Sequence, residues 1–309
     1  MKLNVVGHRK WWFTLSGCLM VPAILSILFF GFNFGIDFTG GTILDLAFKQ
    51  PVTVAQVRDA LKEDGLQTSV IQLTGHVENE AGTDVMIRTK NLSASESNAV
   101  IQHMDSKLGN AEVKRTETVG AVIGSEVTQH TLLNVVLSLA ALIAYVSFRF
   151  EYRIAMSAII AICHDIIMVL GVFAFFHLEV DASFLAAILT VLGYSMNESI
   201  VIFDRIRENL RTHKKTDTYE VLANDSIKQS IHRSLYTLTT VLFATGSLYF
   251  FGGDTTKNFA LVMLIGFISG AYSSICVATS LWVTWHEYSG RRNGSSRIHE
   301  SSPAKTIKA

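Results

Sequence analysis

Four ionisable groups stand inside long apolar runs of this sequence, where a charge finds no cheap solvent. His164 and Asp165 occur together in ICHDIIMVLGVF (162–173). Glu198 follows Asn197 in GYSMNESIVIFDRIREN (193–209), and Arg233 lies in IHRSL (231–235). A charged side chain at the centre of a bilayer costs roughly 2.5–3.5 kcal/mol on insertion scales, so such groups turn away from lipid and mark ion paths, proton relays or helix pairs. Burial disfavours the charged form of a carboxylate, and a nearby guanidinium favours it. A Glu poised between the two influences gains or loses a proton when helices move. Moving one charge through the membrane potential is worth about 2.3 kcal/mol per 100 mV. The set therefore reads as parts of a proton-coupled machine, with Glu198 foremost and Arg233, Asp165, His164 and Asn197 around it. Structural readings stand beside this one. They are an ion pair pinning two helices or snorkelling for Arg233, a Ser or Thr partner on a neighbouring helix for Asp165, and a satisfied packing histidine for His164.

Groups of this kind need long apolar helices to carry them. The chain has 309 residues, 49% hydrophobic and 17% charged, with a mean hydropathy of +0.34. That composition points to a membrane protein. Six stretches have the ~17–25 residues that a spanning helix needs: 11–31, 131–148, 154–176, 182–203, 232–251 and 258–285. The first follows Lys2, Arg9 and Lys10 with no small-residue cleavage pattern after it, and reads as an uncleaved anchor. Arginines and lysines cluster before span one, between spans two and three, after span four and after span six; the opposite short loops carry only Lys257. The positive-inside rule then places both termini in the cytoplasm. Glu198 falls about 8 Å from the cytoplasmic end of span four, at a depth similar to that of Arg233 in span five, where the two can pair. Arg233, Thr237, Thr240, Ala244 and Ser247 form one small, polar stripe. Gly266 and Gly270 make a GxxxG followed by Ser273 and Ser274, best read as helix packing.

Residues 32–130 are soluble in character. GTILDLAF (41–48), SVIQL (69–73), DVMIRT (84–89) and AEVKRTETV (111–119) alternate like strands. VAQVRDALKEDG (54–65) and SASESNAVIQHMDSKLG (93–109) have helical spacing, the second with a Ser cap ahead of Glu96 and a stop at Gly109. The order β-α-β-β-α-β predicts a ferredoxin-like domain on the extracytoplasmic side. Its 13 acidic and 8 basic residues argue against nucleic-acid binding. The expected division is thus 1–31 (N-terminus and first span), 32–130 (α+β domain), 131–289 (five further spans) and 290–309, a polar basic tail read as disordered at the lipid surface.

Chemistry on covalent bonds is not expected. DFTGGT (37–42) lacks the Gly-Lys-Ser/Thr of a phosphate loop and reads as a tight turn between span one and the first strand. Neither an intramembrane aspartyl-protease motif nor a G-x-S-x-G is present in a span. Cys18, Cys163 and Cys276 all lie in apolar runs, without metal-ligand spacing or a disulfide pattern. No metal and no cofactor are expected.

GFNFGIDFTGG (31–41), ETVGAVIGSEV (117–127), YVSFRFEYR (145–153), ICHDIIMVLGVF, GYSMNESIVIFDRIREN and IHRSL together resemble the SecF branch of the SecD/SecF protein-export family, in order over about residues 1–288. The resemblance implies a six-span membrane domain of the RND superfamily, pseudo-symmetric with SecD, in the bacterial inner membrane. It implies proton-driven assistance to unfolded polypeptide leaving the SecYEG channel, with YajC/YidC-type proteins as further partners. It places the family's fourth-span acid on Glu198, its fifth-span arginine on Arg233 and its third-span pair on His164 and Asp165. Asp37, Gly40, Gly41, Asp204, Arg205 and Arg207 fall on its remaining motifs. Two departures stand out: Glu198 replaces the usual Asp, and ETVGAVIGSEV lacks a proline that often follows Val-Gly. Two other classes fit the residues: half of an RND-like small-solute exporter, or a structural stabiliser of the translocon without proton coupling.

Overall fold

The computed structural model describes residues 4–78, 81–212 and 217–292. Lys2, Lys214, Lys215, Arg297 and most of the basic tail expected over 290–309 lie outside the described residues. The chain forms two compact units: residues 34–134, and residues 1–33 together with 135–309.

The membrane unit starts with helix α1 (Arg9–Phe30), ended by Gly31 at φ +67°, whose N–H reaches the Ile27 carbonyl. In the smaller unit, a single helical turn at Ile36–Thr39 leads into strand β1 (Gly41–Thr53). Helix α2 (Val54–Lys62), strands β2 (Val70–Glu78) and β3 (Ala81–Thr89), helix α3 (Ala94–Leu108) and strand β4 (Ala111–Val119) follow. The sheet order is β2-β3-β1-β4 with every neighbouring pair antiparallel, Leu46 facing Val85 and Leu44 facing Thr116. One face of β1 and β3 packs Leu44, Leu46, Val85 and Ile87 against Val57 and Leu61 of α2 and Val100 and Met104 of α3.

Both helices start at caps that the sequence encodes. Thr53 and Gln56 close a capping box on α2, and Ser93 and Glu96 close one on α3. Glu96 accepts from the Ser93 backbone N–H at 2.7 Å and from its hydroxyl at 2.8 Å, and these bonds hold its carboxyl below the usual carboxylate range. A depressed acid contributes its stability above the unfolded-state value and loses it as pH falls through the folded one. The protection factor of the Ser93 amide in the intact protein, its exchange rate referred to the intrinsic rate at each pH, is therefore expected to fall on acidification below the ordinary carboxylate range, and not between neutral and mildly acid pH.

The DFTGG turn is built on two glycines. Gly40 has φ +69° and caps the Ile36–Thr39 turn; a Cβ there would stand 2.9 Å from Cα of Ala121. Gly41, at φ +131°, passes the edge of β3, where a Cβ would stand 2.5 Å from the Thr89 carbonyl oxygen. Both positions need glycine, for backbone angle and for space.

The remaining helices are α4 (Ala121–Arg149), α5 (Tyr152–Phe175), α6 (Ala182–Thr212), α7 (Tyr219–Phe251), α8 (Asp254–Tyr272), a π-turn (Ser273–Ala278) and α9 (Thr279–Arg292). With α1 they supply six helices long and apolar enough to cross a membrane, α8 to α9 counting as one. Four helices outrun the stretches that hydropathy marks. Helix α4 begins ten residues before 131, α6 continues through FDRIREN to Thr212, α7 begins at Tyr219 rather than 232, and α9 runs past 285. Hydropathy sees only the apolar part of a helix; Thr218, which accepts from the Val221 N–H, sets the true start of α7. The last span, Thr256–Ser289, is continuous and contains the π-turn.

Helices α5, α6 and the α8–α9 span form the interior, whereas α4 and α7 are mostly exposed. The GxxxG glycines lie against α6: a Cβ on Gly266 would run into Val191, and one on Gly270 would stand 3.0 Å from Cβ of Ser195. The polar stripe of α7 departs from expectation. Arg233, Thr240, Ala244 and Ser247 are exposed, and the buried face carries Leu222, Ser226, Ile227, Ser230 and Ser234 instead. Periodicity fixes which residues share a face; packing against α6 and α8 decides which face turns inward.

Gly41→Ala is expected to lower stability by about 1–3 kcal/mol, the cost of a residue forced into a sparse backbone region. Gly17→Ala, in a helix with open space around it, is expected to leave stability unchanged or raise it. Thermal unfolding of the purified, detergent-solubilised chain distinguishes the two.

Candidate functional site

Asp165, on α5, has no exposed surface. Its two oxygens accept hydrogen bonds from hydroxyls on three other segments of the bundle. Ser195 of α6 donates to Oδ2 at 2.6 Å, Ser269 of α8 to Oδ1 at 2.6 Å, and Ser273 of the π-turn to Oδ2 at 2.7 Å. The neighbouring His164 contributes Nδ1 at 3.2 Å from Oδ1. Short O–H···O contacts of this kind are typical of a charged acceptor. The structure thus realises the Ser partner foreseen for Asp165, three times over.

His164 is 3% exposed, and its Nε2 has no hydrogen-bond partner. Its ring lies 5.9 Å from that of Tyr272. The Tyr272 hydroxyl in turn donates to the Trp12 carbonyl at 3.0 Å and lies 2.9 Å from the Ser16 hydroxyl, which ties the last span to α1. On the other side, the Ser199 and Ser274 hydroxyls meet at 2.9 Å, and Ser274 also donates to the Ser195 carbonyl at 3.3 Å.

Glu198 lies one turn beyond Ser195 on α6 and is 3% exposed. Among the described residues its carboxylate has neither a hydrogen bond nor an ion pair. The expected partner is elsewhere: Arg233 is exposed on α7 and makes no ion pair with Glu198. Equal depth fixes position along two helices but not rotation about them, and the inward face of α7 at this level belongs to Ser230 and Ser234. Asn197 is exposed and turns away from the cluster.

The FDRIREN residues hold local contacts. Asp204 lies 3.9 Å from Arg149 of α4, Arg205 pairs with Glu208 at 2.7 Å, and Asn209 donates to Ser226 of α7 at 2.8 Å. Arg207 is half-buried, and Asp37, Gly40 and Gly41 belong to the turn in the smaller unit. The structure therefore brings Asp165, His164 and Glu198 into one bundle interior and leaves Arg233 and Asn197 outside it. Residue reading missed Ser195, Ser269 and Tyr272 as participants. Their signal was weak: Ser195 lies three residues before Glu198, and Ser269 and Ser273 are one turn apart on the glycine face.

This fold and site define a polytopic helical membrane protein that keeps carboxylates at the centre of its bundle. Residues 98–288 match the family described as protein export membrane protein SecD/SecF, C-terminal, and residues 25–52 match the SecD/SecF GG motif. The chain belongs to the SecD/SecF family. It is 45% identical to the protein translocase subunit SecF of Acidaminococcus fermentans, over 91% of this chain and 97% of that one. It is 40% identical to the SecF of Haemophilus influenzae, over 88% and 83%. Among solved structures, the translocon-associated membrane protein SecDF from Thermus thermophilus superposes with a TM-score of 0.83 at 33% identity. That match covers 92% of this chain and 39% of SecDF, so the chain spans about two-fifths of that longer protein.

Removing the Asp165 acceptor leaves three buried hydroxyls to find new partners, whereas removing one hydroxyl leaves the others in place. An orphaned buried polar group costs about 1–3 kcal/mol. Asp165→Ala is thus expected to lower the thermal unfolding midpoint of the solubilised chain by more than Ser269→Ala does, and Ser269→Ala by more than Thr190→Ala on the exposed side of α6.

Proposed function

We propose that the chain works as the SecF-type subunit of the Sec translocase accessory complex. In this reading it uses the proton motive force, together with SecD, to promote export of unfolded polypeptide through SecYEG. The observation that carries the reading is Glu198: a carboxylate buried inside a membrane-length helix with no fixed partner among the described residues. A buried acid in that position is free to exchange its proton when its surroundings change, and the energetic weight of one charge in the membrane field makes the exchange useful. Its one extra methylene relative to Asp lengthens its reach and keeps its titratable group.

Arg233 supports a SecD partner. An exposed guanidinium on the polar stripe of a membrane helix is costly against lipid, and a second six-span chain packed there would cover it. The exposed faces of α4 and α7 supply the surface for such a chain. In this reading residues 32–130 form an extracytoplasmic ferredoxin-like domain, consistent with the βαββαβ order and the antiparallel β2-β3-β1-β4 sheet. Both termini then lie in the cytoplasm of a bacterium, with the membrane unit in its inner membrane. The role is one of coupling, without covalent catalysis and without a cofactor beyond the proton gradient. SecYEG, YajC/YidC-type proteins and the lipid bilayer are its proposed surroundings.

Glu198→Gln keeps shape and loses the proton. In inverted vesicles that depend on the membrane potential, it is expected to slow export of a secreted precursor severalfold while the protein still assembles with SecD. An undiminished export rate would overturn the reading.

A further inference from the structure

Ser273–Ala278 form a π-turn whose first residue, Ser273, bonds to Asp165. A π-turn closes i→i+5 rather than i→i+4 bonds, and such turns are concentrated at functional sites. Ser269 and Ser273, four residues apart, both serve Asp165 on α5. Ser274, the next residue, serves α6 instead, through the Ser199 hydroxyl at 2.9 Å and the Ser195 carbonyl at 3.3 Å. Thr279 donates to the Ser274 carbonyl at 3.0 Å, within the widened turn. Ser195 closes the circuit, because its hydroxyl donates to Asp165 while its carbonyl accepts from Ser274. Ser195 and Ser199 flank Glu198 on one turn of α6, so that turn is bonded to Asp165 directly and to Ser274 beside it.

We propose that this π-turn couples the two buried carboxylates, Ser274 acting as the positioning residue through which Glu198 responds to the charge on Asp165. The inference rests on the reading of Glu198 as proton carrier and adds the device that informs it. A charged Asp165 holds Ser195, Ser269 and Ser273 by charge-assisted bonds. A proton on Asp165 weakens those bonds, and Ser273 has a ready alternative acceptor in the Gly270 carbonyl at 3.2 Å. Shifting Ser273 moves Ser274, and with it the bonds to Ser195 and Ser199. Titratable groups on the elements around Asp165 include His164 and Arg153 on α5, Tyr194, Glu198 and Asp204 on α6, Tyr272 and Cys276 in the last span, and His286 on α9. Helix α1 brings Cys18, which is exposed, and Arg9, which pairs with Glu287 at 2.7 Å. His164, with a buried ring nitrogen lacking a partner, is the group beside Asp165 best placed to pass it a proton.

The test is proton flux against pH in proteoliposomes holding the full chain with SecD. Asp165→Asn is expected to move the midpoint of the flux profile by about one pH unit, the scale at which two sites titrate as a pair. In a Ser274→Ala background the same substitution is expected to move it markedly less, the direct Ser195–Asp165 bond remaining, whereas Ser274→Thr, which keeps the hydroxyl, retains the full shift. Deleting Ile275 removes the extra residue of the turn, and is expected to abolish the shift with assembly intact. Should Asp165→Asn fail to assemble, Ser274→Ala alone is expected to move the midpoint and Ser274→Thr to leave it in place. An equal shift with and without the Ser274 hydroxyl overturns the inference, as does no shift in any background. Full flux in Glu198→Gln overturns the underlying reading instead, so the two failures are separable.

Discussion

A carboxylate taken out of water must replace its hydration shell from the protein, and Asp165 does so with hydroxyls from α6, α8 and the π-turn. An unpaired charge in such surroundings would neutralise or unfold its site, so the rest of the bundle is arranged to keep these donors within reach. Hydroxyls on short side chains reach only if backbones approach closely. Gly266 and Gly270 permit that approach on α6, and Gly171, where a Cβ would run into Ala23, permits it between α5 and α1. The glycines of the last span and the serines around Asp165 are thus one feature: the first set the distance that the second require. The π-turn belongs to the same feature, since it carries Ser273 and Ser274, which bond to α5 and α6 respectively.

The smaller unit is held by different means. Its strands bury an alternating apolar face under two amphipathic helices, each started by a capping box, and a tight backbone turn lies at Gly40 and Gly41. It too buries a carboxylate, Asp45 of β1. A salt-bridged cluster of Glu63, Asp64, His103 and Lys107 joins the end of α2 to α3 at the surface, and pairs of that exposure contribute little to stability.

Legibility in the sequence follows the range of the interaction. Capping boxes, the GG turn, the alternation of β1 and β3 and the six apolar runs are local patterns, and all were readable from residues a few positions apart. Helix ends were less readable, because FDRIREN and the polar start of α7 are helical without being apolar. The rotation of α7 was not readable at all. Arg233 and Ser234 are adjacent, and only packing against α6 and α8 buries the second and exposes the first. The same holds for Asp165. A Ser partner was foreseeable in kind, but Ser195, Ser269 and Ser273 lie 30, 104 and 108 residues away. The π-turn leaves no mark in composition, since a single added residue looks like any other.

Helix α6 has a mechanical property that follows from its continuity. It runs 31 residues from Ala182 to Thr212 without a break, about 46 Å at 1.5 Å per residue, longer than the ~30 Å hydrocarbon thickness of a bilayer. Glu198 sits near its middle and the FDRIREN charges ride on its far end. The rod therefore acts as a lever whose fulcrum is the serine contact at Ser195 and Ser199. A tilt of about 10° there would carry Thr212, about 20 Å away, through roughly 3–4 Å. Small rearrangements among buried hydroxyls would thus be read out, enlarged, where α6 meets α4 and α7 through Asp204 and Asn209.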